Sequence, residues 1–245
     1  MALIAKRVVA GEIGRINHIN DIITDLETLE ASSGIDQSVE VFEANGTWTN
    51  TGAKLIKVIC VGAGGGGAGG NNDNVIRAGG GGGGYTEKII NVSGVVSVAV
   101  TVGAGGEGGD GGGSEDGVAG GLSRFGGEGV YCYSSGGWGG FGEGGTEGIG
   151  GPAGYGHDGD INLKGNGGGR EGSYENLFNG CGGNSLFGLG GSFLQDTSLF
   201  IDDDATGVDG ENYGAGGSGC YHHASTRDRN GGDGTKGIVI VKILK

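Results

Sequence analysis

The sequence contains very little of what most folds rely on. It has one proline and one methionine in 245 residues, and no run of apolar residues approaches the roughly 20 that a membrane-spanning helix needs. Without proline and a strict Gly-X-Y period, its abundant glycine cannot form a collagen helix. Residues 1–7 are followed by Gly11 and Gly14 rather than by the apolar stretch of a signal peptide. These features predict a protein made in the cytosol.

Positive charge is also scarce. The chain has 15 Lys and Arg residues against 29 Asp and Glu residues, a net charge of −14. Binding to nucleic acid through its phosphates requires a surplus of clustered Lys and Arg, so no nucleic-acid partner is predicted.

Closely spaced metal ligands are missing as well. No two cysteines show the C-x-x-C spacing of a zinc or redox site, since they stand at Cys60, Cys132, Cys181 and Cys220. Cytosolic synthesis predicts reduced, mostly buried thiols, and a bridge from Cys132 to Cys181 or Cys220 after release is the alternative. Neither the adjacent His222 and His223 nor the acidic run 202–204 has the further ligands that a metal site needs. No metal or other cofactor is predicted.

The chain carries no convincing catalytic motif. Gly62, Gly64 and Gly67 match G-x-G-x-x-G after a predicted strand, but residues 68–74 form a helix very poorly, and a dinucleotide site needs a helix there. No nucleophile, base and orienting group occur together. The sequence therefore predicts that the protein is not an enzyme.

Glycine is what the chain does have: 67 residues, of which five precede residue 62 and 62 follow residue 61. Two domains are predicted, residues 1–36 and residues 37–245. In the first, Ile16, Ile19, Ile23 and Leu26 follow a 3-4-3 spacing that predicts an amphipathic helix. Such a short helix is marginal alone, so these residues need a partner. That partner is either a trimeric coiled coil or another surface, on this chain or on a neighbouring protein.

Residues 37–245 are predicted to be mainly β and irregular. Runs rich in β-branched residues predict strands near 39–42, 46–49, 55–61 and 238–243, and a hairpin of 85–92 with 95–102 around Ser93 and Gly94. These short strands would flank a glycine-rich body, residues 103–236. Scattered large apolar residues distinguish this body from a flexible linker. We predict packed polyglycine II helices there, because only residues without Cβ let several main chains approach closely.

The order of the motifs resembles a known family. Gly46-Thr47-Trp48-Thr49, followed by residues 56–67, resembles the opening of the glycine-rich domain of tailed-bacteriophage tail fibre proteins. The similarity runs over roughly residues 41–243, and residues 8–20 resemble the leading segment of some phage tail proteins. The chain departs from the family at Asn50-Thr51-Gly52, where the family often has a proline.

The resemblance implies a structural virion component, made in the host cytoplasm and carried in the phage tail. It implies a homotrimer that contacts other tail or baseplate proteins and a host surface polysaccharide or outer-membrane protein. Aromatic side chains suit such contacts, so the candidate receptor residues are those in the non-glycine islands: Tyr131, Tyr133, Trp138, Tyr174, Phe178, Tyr221 and His222. Alternatively, each ring caps the end of a glycine helix. A connector between baseplate and fibre, an ice-binding protein and a nucleotide-dependent oxidoreductase are the competing functions.

Overall fold

A computed structural model describes residues 38–70, 76–112, 115–127, 129–142, 148–170, 172, 180–192, 205–221 and 228–244. The predicted N-terminal helix, its residues Ile16, Ile19, Ile23 and Leu26, and the whole of residues 1–36 lie outside these ranges. The described part is mainly β, as predicted, and contains no helix. Accordingly, it includes no helix that could cross a membrane.

Strands account for the regular secondary structure of the described residues. They are β1 (Val39–Phe42), β2 (Gly46–Thr49), β3 (Leu55–Val61), β4 (Tyr85–Asn91), β5 (Ser97–Thr101), β6 (Ser123–Gly127), β7 (Val130–Ser134), β8 (Gly156–His157), β9 (Ile161–Leu163), β10 (Gly188–Leu189), β11 (Glu211–Asn212) and β12 (Ile238–Leu244). The predicted strands near 39–42, 46–49, 55–61 and 238–243 are confirmed.

Two five-stranded antiparallel sheets enclose the main hydrophobic core. The first sheet has the order β1-β12-β3-β4-β9 and the second the order β2-β5-β6-β7-β8. Because side chains alternate along a strand, each sheet buries every second residue against the other. Trp48 and Phe125 meet in this core with ring centroids 5.8 Å apart. The other buried members are Ile56, Val58, Cys60, Ile90, Val92, Val98, Val100, Cys132, Val239 and Val241.

The predicted strands 85–92 and 95–102 are present as β4 and β5, but their predicted pairing as a hairpin is wrong. β4 pairs with β3 in the first sheet, whereas β5 pairs with β2 in the second, so the turn at Ser93 and Gly94 crosses between the sheets. The physical reason is burial. Ile90 and Val98 both lie in the core between the sheets, and a flat hairpin would have left that face of both strands without a covering layer.

The strands do not merely flank the glycine body. β6 to β11 all lie within residues 103–236, and β6 and β7 bury Phe125 and Cys132 in the main core. The non-glycine islands have enough alternating large side chains to complete a sheet. Part of the predicted glycine body is therefore held by an apolar interior.

The remaining glycine-rich segments extend from the sheets and hydrogen bond in a repeat of three residues. In residues 62–70, the first, fourth and seventh N–H groups donate to carbonyls of residues 78–84. The second, fifth and eighth donate to residues 115–121, and the third, sixth and ninth to residues 229–235, all at 2.8–3.1 Å. The carbonyls of residues 63–68 accept N–H groups from three more segments, near residues 106–109, 137–140 and 217–220. Residues 62–70 thus have six neighbouring main chains.

Residues 76–84 have the same kind of surroundings. Their N–H groups donate in rotation to segments 166–172, 214–220 and 135–138, and their carbonyls accept from 62–68, 151–154 and 183. We call the extended segments together the glycine array. They are 62–70, 76–84, 103–112, 115–122, 135–142, 148–154, 165–170, 180–184, 206–210, 214–220 and 230–237.

The array has two distinct ends. At one end its segments continue directly into strands, as residue 62 follows β3 and residue 84 precedes β4. At the other end, which we call the distal end, lie the residues that flank the gaps at 71–75, 113–114, 143–147, 173–179 and 222–227. They are joined there by the bridges Gly70–Arg229, Ile76–Gly172 and Ile76–Tyr221 and by hydrogen bonds from Gly69 N–H to Glu115 O and from Gly142 N–H to Asp116 Oδ1.

Candidate binding surfaces

The predicted receptor residues occupy different places in the fold. Tyr131 and Tyr133 lie on strand β7 rather than in a loop, and both are half-buried. Trp138 lies on an extended segment of the array, with 58% of its surface exposed. Tyr221 is only 4% exposed, because it packs with Ile76 and Ala205 at the distal end, so its ring does not face solvent. Tyr174, Phe178 and His222 lie outside the described residues.

Tyr131 and Tyr133 face outward because Cys132 and Ser134, which alternate with them, are buried between the sheets. The register of the second sheet sets Tyr133 directly opposite Arg124 on β6 and His157 on β8. Directly opposite residues share one face of a sheet, so these three side chains form a line across its outer surface. We call Arg124, Tyr131, Tyr133 and His157 the aromatic row.

The rings of the aromatic row contact one another. The His157 ring stacks on the Tyr133 ring with centroids 4.5 Å apart and an angle of 10° between the planes. Tyr131 lies two residues away along β7, with its ring tilted by 46° and its centroid 5.4 Å from that of Tyr133. Stacked rings lose little conformational freedom when a ligand covers them, and their faces bind sugars and apolar peptide groups. The row can therefore bind either type of ligand.

A buried hydrogen-bond network holds the main chain beneath the rings. The Thr86 hydroxyl of the first sheet donates to the carbonyl of Tyr133 at 2.8 Å and accepts the N–H of His157 at 2.9 Å. The Ser134 hydroxyl donates to the carbonyl of Cys60 at 2.8 Å, and Lys88 Nζ donates to the carbonyl of Tyr131 at 3.0 Å. β7 and β8 are thus fixed to the opposite sheet, which makes the aromatic row a preorganised surface.

The sequence of this part of the chain is similar to that of a known domain family. Residues 43–244 match the model of the glycine-rich domain. The chain belongs to the glycine-rich domain family. The predicted resemblance to a glycine-rich domain is confirmed over those residues. No curated protein matches the chain.

The glycine-rich domain has a further exposed ring, besides Trp138, two residues before His157 in the chain. Tyr155 precedes β8 by one residue and is half exposed, and Lys164 Nζ lies 4.8 Å from the centroid of its ring. This cation–π contact fixes the ring and leaves a positive charge beside it. Within the described part of the domain, no group of His, Cys, Asp and Glu side chains is arranged to hold a metal ion.

Two groups of paired charged side chains lie on or next to the first sheet. Lys57 Nζ is 2.7 Å from one oxygen of Glu87, and the Tyr85 hydroxyl donates to the other at 2.8 Å. Lys57 thereby lowers the pKa of Glu87, while burial and then Glu87 raise the pKa of Tyr85. Glu43 binds Lys236 and Tyr213 in the same way, and the Lys236 bond lowers its pKa. These carboxylates are occupied in holding the fold together.

Sequence reasoning missed Arg124, His157 and Tyr155. His157 lies in the short segment Gly156–His157 between glycine-rich stretches, where no periodic pattern predicts a strand. Its position beside Tyr133 depends on the pairing of β7 with β8, which local sequence does not encode.

Proposed function

We propose that this glycine-rich domain protein is a receptor-binding component of a bacteriophage tail fibre, in which the aromatic row and Trp138 contact the host surface. The observation that supports the proposal is the outward-facing cluster of Tyr131, Tyr133 and His157, in which only His157 stacks on Tyr133, on a sheet whose main chain is fixed from beneath. The ligand class is a bacterial surface polysaccharide or an outer-membrane protein, because both present the sugar faces or apolar groups that aromatic rings bind.

We further infer that the glycine array consists of polyglycine II helices. A threefold helix points successive N–H groups in three directions, which accounts for the repeat of three residues and the six neighbouring chains of residues 62–70. Such an array is a stiff platform. It presents the distal end as a second surface for host contact, whereas the predicted receptor residues Tyr174, Phe178 and His222 lie outside the described residues.

Attachment to the virion completes the proposal. Ile16, Ile19, Ile23 and Leu26 would join three copies into a homotrimer and connect them to other tail or baseplate proteins. The protein would be made in the host cytoplasm. It would act outside the cell, because virions leave the cell.

The test is competition for host cells. Purified wild-type protein should block adsorption of virions that carry it, and the Tyr131→Ala/Tyr133→Ala/Trp138→Ala variant should need at least roughly tenfold more protein for the same block, since each lost hot-spot ring weakens binding by about 1 kcal/mol or more. Leu189→Ala is the control, because Leu189 on β10 is an apolar side chain about as exposed as Trp138 and lies outside the aromatic row. In both variants the unfolding temperature and the number of copies in the assembly, measured by native mass spectrometry, must stay the same as in the wild type.

A connector without receptor contact is the second candidate. It is favoured by exposed apolar side chains on the outer face of the first sheet, among them Val39, Val41 and Ile89, each more than half exposed. If wild-type protein does not compete with virions, the receptor-binding proposal fails and the connector replaces it. If it competes and the triple variant competes equally well, the aromatic row is not the contact surface.

A further inference from the structure

Two cysteines that are far apart in the sequence meet inside the main core. Cys60 lies on β3 of the first sheet and Cys132 on β7 of the second, 72 residues apart. Their sulfur atoms are 3.9 Å apart, and neither residue is exposed. The other two cysteines lie elsewhere, and Cys181 Sγ is 3.8 Å from the Ser192 hydroxyl.

We propose that Cys60 and Cys132 are positioned to form a disulfide that links the two five-stranded sheets when the chain is folded in the presence of a small-molecule disulfide. In the reducing host cytoplasm, where the proposed function has the chain made, the two residues stay thiols. A disulfide needs sulfur atoms about 2.05 Å apart, so the two Sγ atoms must approach by roughly 2 Å. The two sulfurs already contact each other across the core, so we expect rotation of the two side chains to supply this shift. This pairing differs from the two that the sequence left open, in which Cys132 joins Cys181 or Cys220.

The chemistry is thiol–disulfide exchange with a small disulfide such as oxidised glutathione. The thiolate of one cysteine attacks a glutathione sulfur, which forms a mixed disulfide and releases one glutathione thiolate. The second cysteine loses its proton and attacks the protein sulfur of the mixed disulfide, which releases the second glutathione. Two protein thiols are oxidised, one oxidised glutathione is reduced to two thiols, and the two protons pass to them.

Burial determines when this exchange occurs. A mixed disulfide with glutathione cannot fit in a core where both cysteines are fully covered, so exchange must precede closure of the sheets. The hydrogen bond with Cys132 and then burial also raise the pKa of the Cys60 thiol, which further slows the reaction of that thiol in the closed protein. Once formed, the bond is shielded from reductants by the same core.

The test compares protein refolded with oxidised glutathione to protein refolded with a reductant. After alkylation under denaturing conditions and digestion, mass spectrometry should find a peptide linking Cys60 to Cys132, with Cys181 and Cys220 alkylated. The oxidised protein should unfold at a temperature higher by on the order of 10 °C, because the bond closes a loop of 72 residues. When oxidised glutathione is added to protein that has already folded, the Cys60–Cys132 linkage should form far more slowly than it does during refolding.

Two variants separate the pair from the other thiols. Cys181→Ser/Cys220→Ser should keep the shift in unfolding temperature, whereas Cys60→Ala/Cys132→Ala should unfold at one temperature in both redox conditions. Four alkylated cysteines in the soluble, oxidatively refolded protein would overturn the proposal, as would a linkage to Cys181 or Cys220. The peptide map uses the unaltered chain, so it decides even if the alanine variant does not fold.

Discussion

At the scale of single residues, glycine is required where another main chain lies against its Cα atom. A Cβ on Gly66 would lie 1.9 Å from the carbonyl oxygen of Glu107, and backbone cannot move aside as a flexible side chain can. At Gly112 a Cβ would meet nothing within 4 Å, and no left-handed backbone angle demands glycine there.

We therefore predict opposite outcomes for two alanine substitutions in the array. Gly66→Ala should lower the free energy of unfolding by about 3 kcal/mol or more, because the overpacking disturbs several neighbouring chains at once. Gly112→Ala should stay within about 0.5 kcal/mol of the wild type. Urea denaturation of both variants measures the difference. Equal stabilities would show that close main-chain contact does not decide where glycine is needed.

At the scale of elements, Asn50 joins two connections that lie far apart in the chain. Its side-chain amide donates to the carbonyls of Ala53, Val92 and Val95 at 2.9–3.1 Å, and its oxygen accepts the N–H groups of Gly52 and Ala53. The turn between β2 and β3 is thereby tied to the crossing between β4 and β5.

Asn50→Asp should be destabilising in a pH-dependent way. The new oxygen would face carbonyl oxygens, which raises the pKa of the carboxyl in the folded state. The loss in the free energy of unfolding should thus be small near the carboxyl's unfolded pKa of about 4. It should grow as pH rises through the carboxyl's pKa in the folded state, reaching on the order of 3 kcal/mol. Urea denaturation between pH 5 and pH 8 measures this slope.

Asn91→Asp is the matched control for this substitution. The Asn91 side-chain oxygen accepts the N–H of Ser93, and aspartate keeps that acceptor. If the difference in free energy of unfolding between Asn50→Asp and the wild type does not change across this pH range, the role assigned to the Asn50 amide is refuted.

At the scale of the whole molecule, stability combines an apolar sandwich with an array held by main-chain hydrogen bonds. Residues 62–70 and 76–84 lie at the centre of the array, each with six neighbouring segments. Opening either segment breaks bonds to several others, so local opening there should be as rare as unfolding of the sheets.

Hydrogen exchange followed by mass spectrometry should find protection over 62–70 and 76–84 equal to that of β3 and β12. Outer segments such as 148–154 should exchange sooner, because fewer chains surround them. If the two central segments exchange at the rate of an unfolded chain while the strands stay protected, the array is not the rigid platform that the proposed function requires.

Local sequence predicted the strands better than their arrangement. β3 stands out as a β-branched run between Gly52 and Gly62, β12 stands out as another that follows Gly237, and both were predicted closely. Pairing was not predictable from the same signal, because alternation shows which side of a strand is buried but not which sheet contains it. For this reason β4 and β5 were wrongly joined in a hairpin.

The residues of the candidate site were likewise predicted only in part from the sequence. Tyr131 and Tyr133 were identified because aromatic residues are conspicuous among glycines, but His157 and Arg124 became part of the site only through strand register. Tyr221 was identified on the same grounds as the other rings, and it proved to be buried between Ile76 and Ala205.

The sequence by itself determined that main chain would pack against main chain, because so many residues have no Cβ to prevent it, and it determined which β-branched runs would be strands. Only the tertiary structure decided that β6 and β7 complete a sheet, that Cys60 faces Cys132, and that Tyr133 stacks on His157. These are contacts between residues that are distant in the chain, and they depend on sheet register, which burial of the common core selects rather than any local pattern.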